Sequence, residues 1–453
     1  MKGLVELNPA KAGSNSLQEA FFWFFESIFT ILMATQGTQS RFTRNVMTLT
    51  FGTAFAQLIP FIVLPILQTY FYGPADFAML ASFVYFSEMI GVVSTWKLEY
   101  AIVVQTNEQK AAEVARASLQ MVYVMTIFSL LLAALFYVVN IVPGLYALGG
   151  LIFLLPAVVL CMGIIQTSAY WFNRKEQYPK ITRGKMIQTT SSEGGKLLFG
   201  VAGINFSGLV LGRMLGYIAN AIWQGILFFG DLRKIKTGVL QLKKVIGENY
   251  MYLAYATPSV FIGGLISFLC IELFTDHFSL AESGMISVAI TYVNAGMTMV
   301  AGSIGQVFYA TIAAIQNRGE LMRLYIRFAR NLFFMSAFLT ILFWILPGEW
   351  VVGVLGDEWN NLMPYCRIIS LWFGIWFIAS SLSFIYMRLQ KQGFMLVMDV
   401  VHLGMVVAGF FIGKSLGGVI HALWGITIAQ MLYYSLAIVL ALWFIRTSPL
   451  LRN

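Results

Sequence analysis

The stretch GGKLLFGVAGINFSGLVLGRMLGY, residues 194–217, is apolar or glycine at nearly every position, yet Lys196 and Arg213 stand well inside it. It reads as the tip of a helical hairpin, with one helix ending and another beginning around Gly203–Asn205. A cation on a membrane helix costs about 3 kcal/mol at the bilayer centre, so such residues face a bundle interior, a partner or a water-filled cavity. What these two cations do is the central question of the chain.

Working outward, the rest of the sequence supplies the membrane. Of 453 residues, 59% are hydrophobic and only 11% charged, which is far below the usage of soluble domains. An apolar helix needs about 20 residues to cross a bilayer. That window finds twelve spans: 46–71, 77–95, 118–139, 147–171, 184–202, 206–229, 251–274, 284–312, 325–347, 362–386, 393–413 and 418–445. The fifth is the most polar, because QTTSSEGGK (188–196) lies within it. The expected fold is therefore all-α and polytopic.

Orientation follows from the basic residues, which cytoplasmic loops retain. With the N-terminus inside, every lysine and arginine except Lys196, Arg213, Arg367 and Lys414 falls in a cytoplasmic segment. The opposite loops carry acids such as Asp76, Asp276, Glu282, Glu349, Asp357 and Glu358. Both termini are expected in the cytoplasm. The basic loops need only membrane lipids as partners, and no polar segment is long enough to form a nucleic-acid face.

Six spans precede the basic loop DLRKIKTGVLQLKKVIGEN and six follow it. The expected organisation is an N-terminal extension (1–40), interfacial or disordered, and a first lobe (41–230) with helices 1–6. The cytoplasmic loop (231–249) then leads to a second lobe (250–453) with helices 7–12. Within the extension, AFFWFFESIFTILMA (20–34) spans only about 22 Å as a helix, and Met33 resembles an alternative start. Prolines at corresponding places, Pro60 and Pro65 in helix 1 and Pro258 in helix 7, suit helices that line a midplane site, or ordinary kinks. Cys161, Cys270 and Cys366 are dispersed, as are the three histidines, so no metal or cofactor is expected.

Several motifs carry a family resemblance. RFTRNVMTLTFGTAFAQLIPFIVLPILQTYFYGPADF (41–77), KLEYAIV (97–103), YWFNRKEQYPKI (170–181), GLVLGRMLG (208–216), SIGQVFYA (303–310) and VLGDEWNNLMPYCRIIS (354–370) stand in order along the chain. Together they resemble the bacterial polysaccharide-repeat flippases, the O-antigen and capsule exporters of the multidrug/oligosaccharidyl-lipid/polysaccharide superfamily. The second motif departs from the family pattern, with Lys97 for an arginine, Leu98 for an aromatic residue, and Tyr100 following Glu99. The resemblance implies a transporter of the bacterial inner membrane. Its substrate would be an undecaprenyl-diphosphate-linked oligosaccharide, turned from the cytoplasmic to the periplasmic leaflet. A proton or sodium ion is the implied coupling partner, and a polysaccharide polymerase an implied neighbour.

Such a task needs a hydrated path between two lobes and cations for the diphosphate. Lys196 and Arg213 suit that role, arginine best because its planar fork can grip two oxygens. Alternatively they snorkel to headgroups or pair between helices, and Glu193 is close enough in sequence to pair with Lys196. Gln57, Tyr292, Asn294 and Gln306 can bond sugar hydroxyls or join helices. Glu88, Asp399 and Glu272 are the carboxylates that can carry a coupling ion, with Glu88 first; a hydrogen-bonded strut is the other reading. Lys97 and Glu99 are expected at the inner end of helix 2, as an inner gate or a surface ion pair. Gly212 and Gly216 read as a close-packing pair, and Arg367 as an interfacial anchor. The rival functions are a drug or cation antiporter of the same superfamily, a flippase for a cell-wall precursor, and a membrane-embedded polysaccharide polymerase or ligase.

Overall fold

The computed structural model describes residues 59–235, 242–313 and 315–452. The expected extension (1–40), Gln57 and the middle of the inter-lobe loop lie outside these residues. Twelve long helices run through the described part. They are α1 (Ile59–Tyr70), α2 (Pro74–Gly91), α3 (Glu108–Val138), α4 (Leu155–Arg174), α5 (Tyr178–Val201) and α6 (Phe206–Arg233), then α7 (Thr257–His277), α8 (Leu280–Ala313), α9 (Arg318–Ile345), α10 (Leu362–Leu382), α11 (Gln392–Leu416) and α12 (Val419–Thr447). Each overlaps one expected span.

Local chemistry sets the starts. Pro74, Pro179 and Pro258 sit in the first turns of α2, α5 and α7, where a missing amide costs nothing. Asn107 accepts from the Gln109 amide at 2.8 Å to open α3, and Asn317 does the same for Glu320 at 2.9 Å in α9. Pro65 does not break α1, which runs through it. Pro258 instead follows a single wide turn, Tyr252–Ala256, in which the Thr257 amide reaches back to the Tyr252 carbonyl.

Among the described residues, seven helices are long and apolar enough to cross a membrane on length and composition. Their outward faces are hydrocarbon-like: Ile127, Leu131 and Val138 on α3, and Ile428, Leu432 and Val439 on α12, are all exposed. In water such a surface would be costly; in lipid it is the expected exterior. The chain is an all-α, multi-pass membrane protein. Neither α5 nor α6, the helices that hold Lys196 and Arg213, is among the seven.

Helices α3–α6 and α7–α12 each pack chiefly among themselves, and α2 joins the halves by lying more against α7 and α8 than against α4 and α6. A core of Phe83, Phe86 and Ile90 from α2, Val158 and Val159 from α4, Tyr217 from α6 and Phe268 from α7 fills that junction. At the end where α1 turns into α2, more contacts cross between the halves. Thr69 Oγ1 donates to the Val354 carbonyl at 3.1 Å. Phe77 meets the fully buried Trp359 edge-on at 5.7 Å. Gly284 lies against the Pro74 carbonyl with no room for a Cβ.

Candidate functional site

The α5–α6 hairpin is held backbone to backbone. A Cβ on Gly212 would lie 2.5 Å from the Lys196 amide nitrogen, and one on Gly216 would lie 2.5 Å from the Gln188 carbonyl. Gly212 and Gly216 are thus the packing pair expected from their spacing. This close approach sets Lys196 and Arg213 beside each other, facing α2.

There Arg213 Nη2 is 2.7 Å from Glu88 Oε1. The Tyr217 hydroxyl donates to the same carboxylate oxygen at 2.7 Å and accepts from Arg213 Nη2 at 3.2 Å. Residues four apart share a helix face, and the guanidinium sits 5.1 Å from the centroid of the Tyr217 ring. One turn away, Lys196 Nζ is 2.7 Å from Glu193 Oε1, while the Lys196 carbonyl accepts from Tyr72 at 3.1 Å. All four charged side chains line one cavity of about 290 Å³, closed on the other side by α1 and α8 through Pro60, Leu64, Thr291 and Asn294. Both cations therefore line an internal space. Each is matched by a carboxylate, so the space is charge-balanced.

Exposure separates the Arg213–Glu88 pair from Lys196–Glu193, which keeps only 11% and 5% of its side-chain surface open, and from a third pair. Arg213 and Glu88 keep 30% and 38% of their side-chain surface open, so this pair faces the cavity. Lys97 and Glu99, 3.4 Å apart, are sealed at 4% and 0%; breaking a pair of that kind costs about 3–5 kcal/mol. Thr95 also donates to Glu99 at 2.5 Å, and Trp96 and Lys97 hold left-handed backbone with φ of 52° and 56°. Lys97–Glu99 is not a surface pair, because the chain folds back over it.

A second cavity, about 370 Å³, lies among α7, α8, α10, α11 and α12 and shares Tyr85 and Asn294 with the first. Asp399 projects into it, held by the hydroxyls of Ser259 and Tyr433, the latter at 3.2 Å. His402 lies 2.6 Å from Gln430 and stacks flat on Tyr433 with ring centroids 3.7 Å apart. Trp372 and Trp376 complete an aromatic wall. Reading the histidines as dispersed missed His402. The available signal was Asp399 and His402 three apart on one face of an apolar helix.

Other expected residues lie elsewhere. Glu272 lines neither cavity: it accepts from Ser82 at 3.1 Å and from the Gly144 amide at 2.7 Å, tying α2 and α7 to the short helix Pro143–Ala147. Tyr292 likewise misses both; it donates to Gln68 at 2.5 Å and packs edge-on against Phe61, fastening α8 to α1. Gln306 belongs to α8, and its side chain lies outside the described residues, as does Gln57. Arg367 bonds the Phe343 and Leu346 carbonyls at the end of α9.

Comparison with solved structures places this fold among transporters. The chain is similar to a multidrug resistance MATE family transporter of the MOP superfamily in its inward-facing conformation, with a TM-score of 0.70, 13% identity, and coverage of 92% of this chain and 97% of that one. It is similar to the lipid II flippase MurJ in an inward closed conformation, with a TM-score of 0.66, 12% identity and 87% coverage of both chains. The Vibrio cholerae MATE transporter VcmN, as a mutant, follows with a TM-score of 0.61, 10% identity, and coverage of 94% and 99%. No curated protein matches by sequence. A family profile described as polysaccharide biosynthesis protein matches residues 69–364, well over half of the sequence. The chain belongs to that polysaccharide biosynthesis protein family, on a fold shared with MATE transporters and MurJ.

Proposed function

We propose that this protein turns an undecaprenyl-diphosphate-linked oligosaccharide from the cytoplasmic to the periplasmic leaflet of a bacterial inner membrane, with both termini cytoplasmic. The two lobes, 41–230 and 250–453, alternate access to the space between them. The observation that carries this reading is that Lys196 and Arg213, from two different helices, line one cavity.

Flipping breaks no covalent bond. The barrier is the passage of a diphosphate and its sugars through about 30 Å of hydrocarbon. A water-filled cavity removes much of that cost, the two cations attract the diphosphate, and the polyprenyl tail stays in lipid. Asn294, shared by both cavities, is placed to meet a sugar hydroxyl. Among the carboxylates, Asp399 is the proposed holder of a coupling proton or sodium ion, since Glu88 is already paired with Arg213 and Glu272 is committed to two structural donors. Lys97 and Glu99 are assigned to fixing the end of α2 beside any inner gate. A polysaccharide polymerase is the expected acceptor of the product.

The test is translocation of undecaprenyl-diphosphate-linked glycan by purified protein in proteoliposomes. Lys196→Ala with Arg213→Ala should abolish it while the protein still inserts. Full activity in the double variant would remove the diphosphate role. A drug antiporter is the second reading, favoured by Asp399 beside Trp376 and Tyr434, a setting that suits an organic cation. Efflux of a fluorescent organic cation from the same vesicles, with no glycolipid movement, would select it.

A further inference from the structure

The pocket between α2, α5 and α6 presents two cations, yet each already has an anion 2.7 Å away. The geometry of the Arg213–Glu88 pair adds a second observation. Glu88 touches the guanidinium only through Nη2, while Arg213 Nε is buried with no hydrogen-bond partner. Arginine grips oxyanions best as a fork, using two donors at once. Here half of the fork is unspent, and the carboxylate that holds the other half remains partly open to the cavity.

A carrier has to reorient empty as well as loaded. An unpaired guanidinium in a membrane cavity is costly, so the empty state needs a counter-charge. Glu88 supplies one from a neighbouring helix. We infer, resting on the lipid-diphosphate reading, that Glu88 is the stand-in anion of the empty carrier. Its carboxylate holds the place at Arg213 that a diphosphate oxygen takes in the loaded carrier, and the two exclude each other. An incoming diphosphate carries more charge and can engage two guanidinium donors together once Glu88 withdraws. The displaced carboxylate keeps the Tyr217 hydroxyl, which already donates to it at 2.7 Å. Once the diphosphate leaves, Glu88 recaptures Arg213 and the carrier returns neutral. Glu88 therefore weakens substrate binding and speeds the return. Glu193 is likewise the counter-charge of Lys196, three residues away on its own helix, in a more buried pair.

The experiment uses the full chain in lipid nanodiscs, titrated with inorganic diphosphate and separately with undecaprenyl diphosphate, beside turnover of the glycolipid in proteoliposomes. Glu88→Gln keeps the shape and removes the charge. It should bind either probe about tenfold more tightly, which is ~1.4 kcal/mol, and turn over more slowly. Unchanged or weaker binding by a folded Glu88→Gln protein overturns the stand-in role and leaves the diphosphate reading in place. No binding of either probe by both wild type and variant sinks that reading and this inference with it. If Glu88→Gln does not fold, Glu193→Gln frees Lys196 by the same logic. Tighter binding there supports competition between carboxylate and diphosphate, and unchanged binding refutes it.

Discussion

The α-carbon of Gly212 rests on the backbone of Lys196, so closely that a methyl group at 212 would lie 2.5 Å from the Lys196 nitrogen. That contact sets how near the two cations of the cavity come to one another. It makes a small residue on α6 part of the architecture of a charge on α5.

Gly212→Val is accordingly expected to push the hairpin apart. Overpacking of this kind costs about 1–3 kcal/mol, and backbone, unlike a flexible side chain, has little room to give. The melting temperature in detergent should fall, and glycolipid translocation should fall with it. A variant with the melting temperature of wild type would show that the hairpin is looser than described.

Under the proposed function, Arg213 acts on the diphosphate through both its charge and its fork. Arg213→Lys keeps the charge and loses the fork, so partial translocation is expected, whereas Arg213→Ala should leave only background. Equal activity of the lysine variant and wild type would mean that bidentate geometry contributes nothing.

Asp399 and Glu272 should part company when tested side by side. Asp399→Asn is expected to make translocation insensitive to an imposed proton or sodium gradient, with stability little changed. Glu272→Ala leaves the Gly144 amide and the Ser82 hydroxyl without their acceptor. That costs about 1–3 kcal/mol and should lower the melting temperature without altering gradient dependence. The reverse pattern would exchange their roles.

Trp359 is fully buried against Phe77 at the end where α1 meets α2. Truncating a buried tryptophan costs about 3–5 kcal/mol, and here the loss falls on contacts between the halves. In cells, Trp359→Ala should let a membrane-impermeant maleimide reach a cysteine placed by Thr291→Cys in the charged cavity. The same cysteine should be protected when Trp359 is present. Equal labelling in both backgrounds would show that this end is not the outer seal.

Hydrophobic length was enough to find the twelve long helices of the described residues, because it is a local property of the chain. The glycine spacing of α6 was also readable, since periodicity fixes which residues share a face. Partners were harder. Glu88 and Arg213 are joined across 125 positions of sequence, and nothing local says which acid meets which base. Glu272 and Tyr292 looked like site residues because polarity in an apolar helix signals either function or joinery. Only the neighbours, Ser82 and Gly144 for one and Gln68 for the other, decide for joinery. His402 was passed over because its counterpart, Gln430, comes from the next helix.

The hairpin also bears on how the protein is made. On its own, α5 brings Lys180, Arg183, Lys185, Glu193 and Lys196 to the translocon and gains little by leaving it for lipid. Zipped through glycines to α6, it presents less backbone to hydrocarbon, and its lysine is already neutralised by Glu193. Insertion of α5 is therefore expected to wait for α6, the two entering the bilayer as one unit, and chains truncated before and after α6 would show it by the membrane integration of α5.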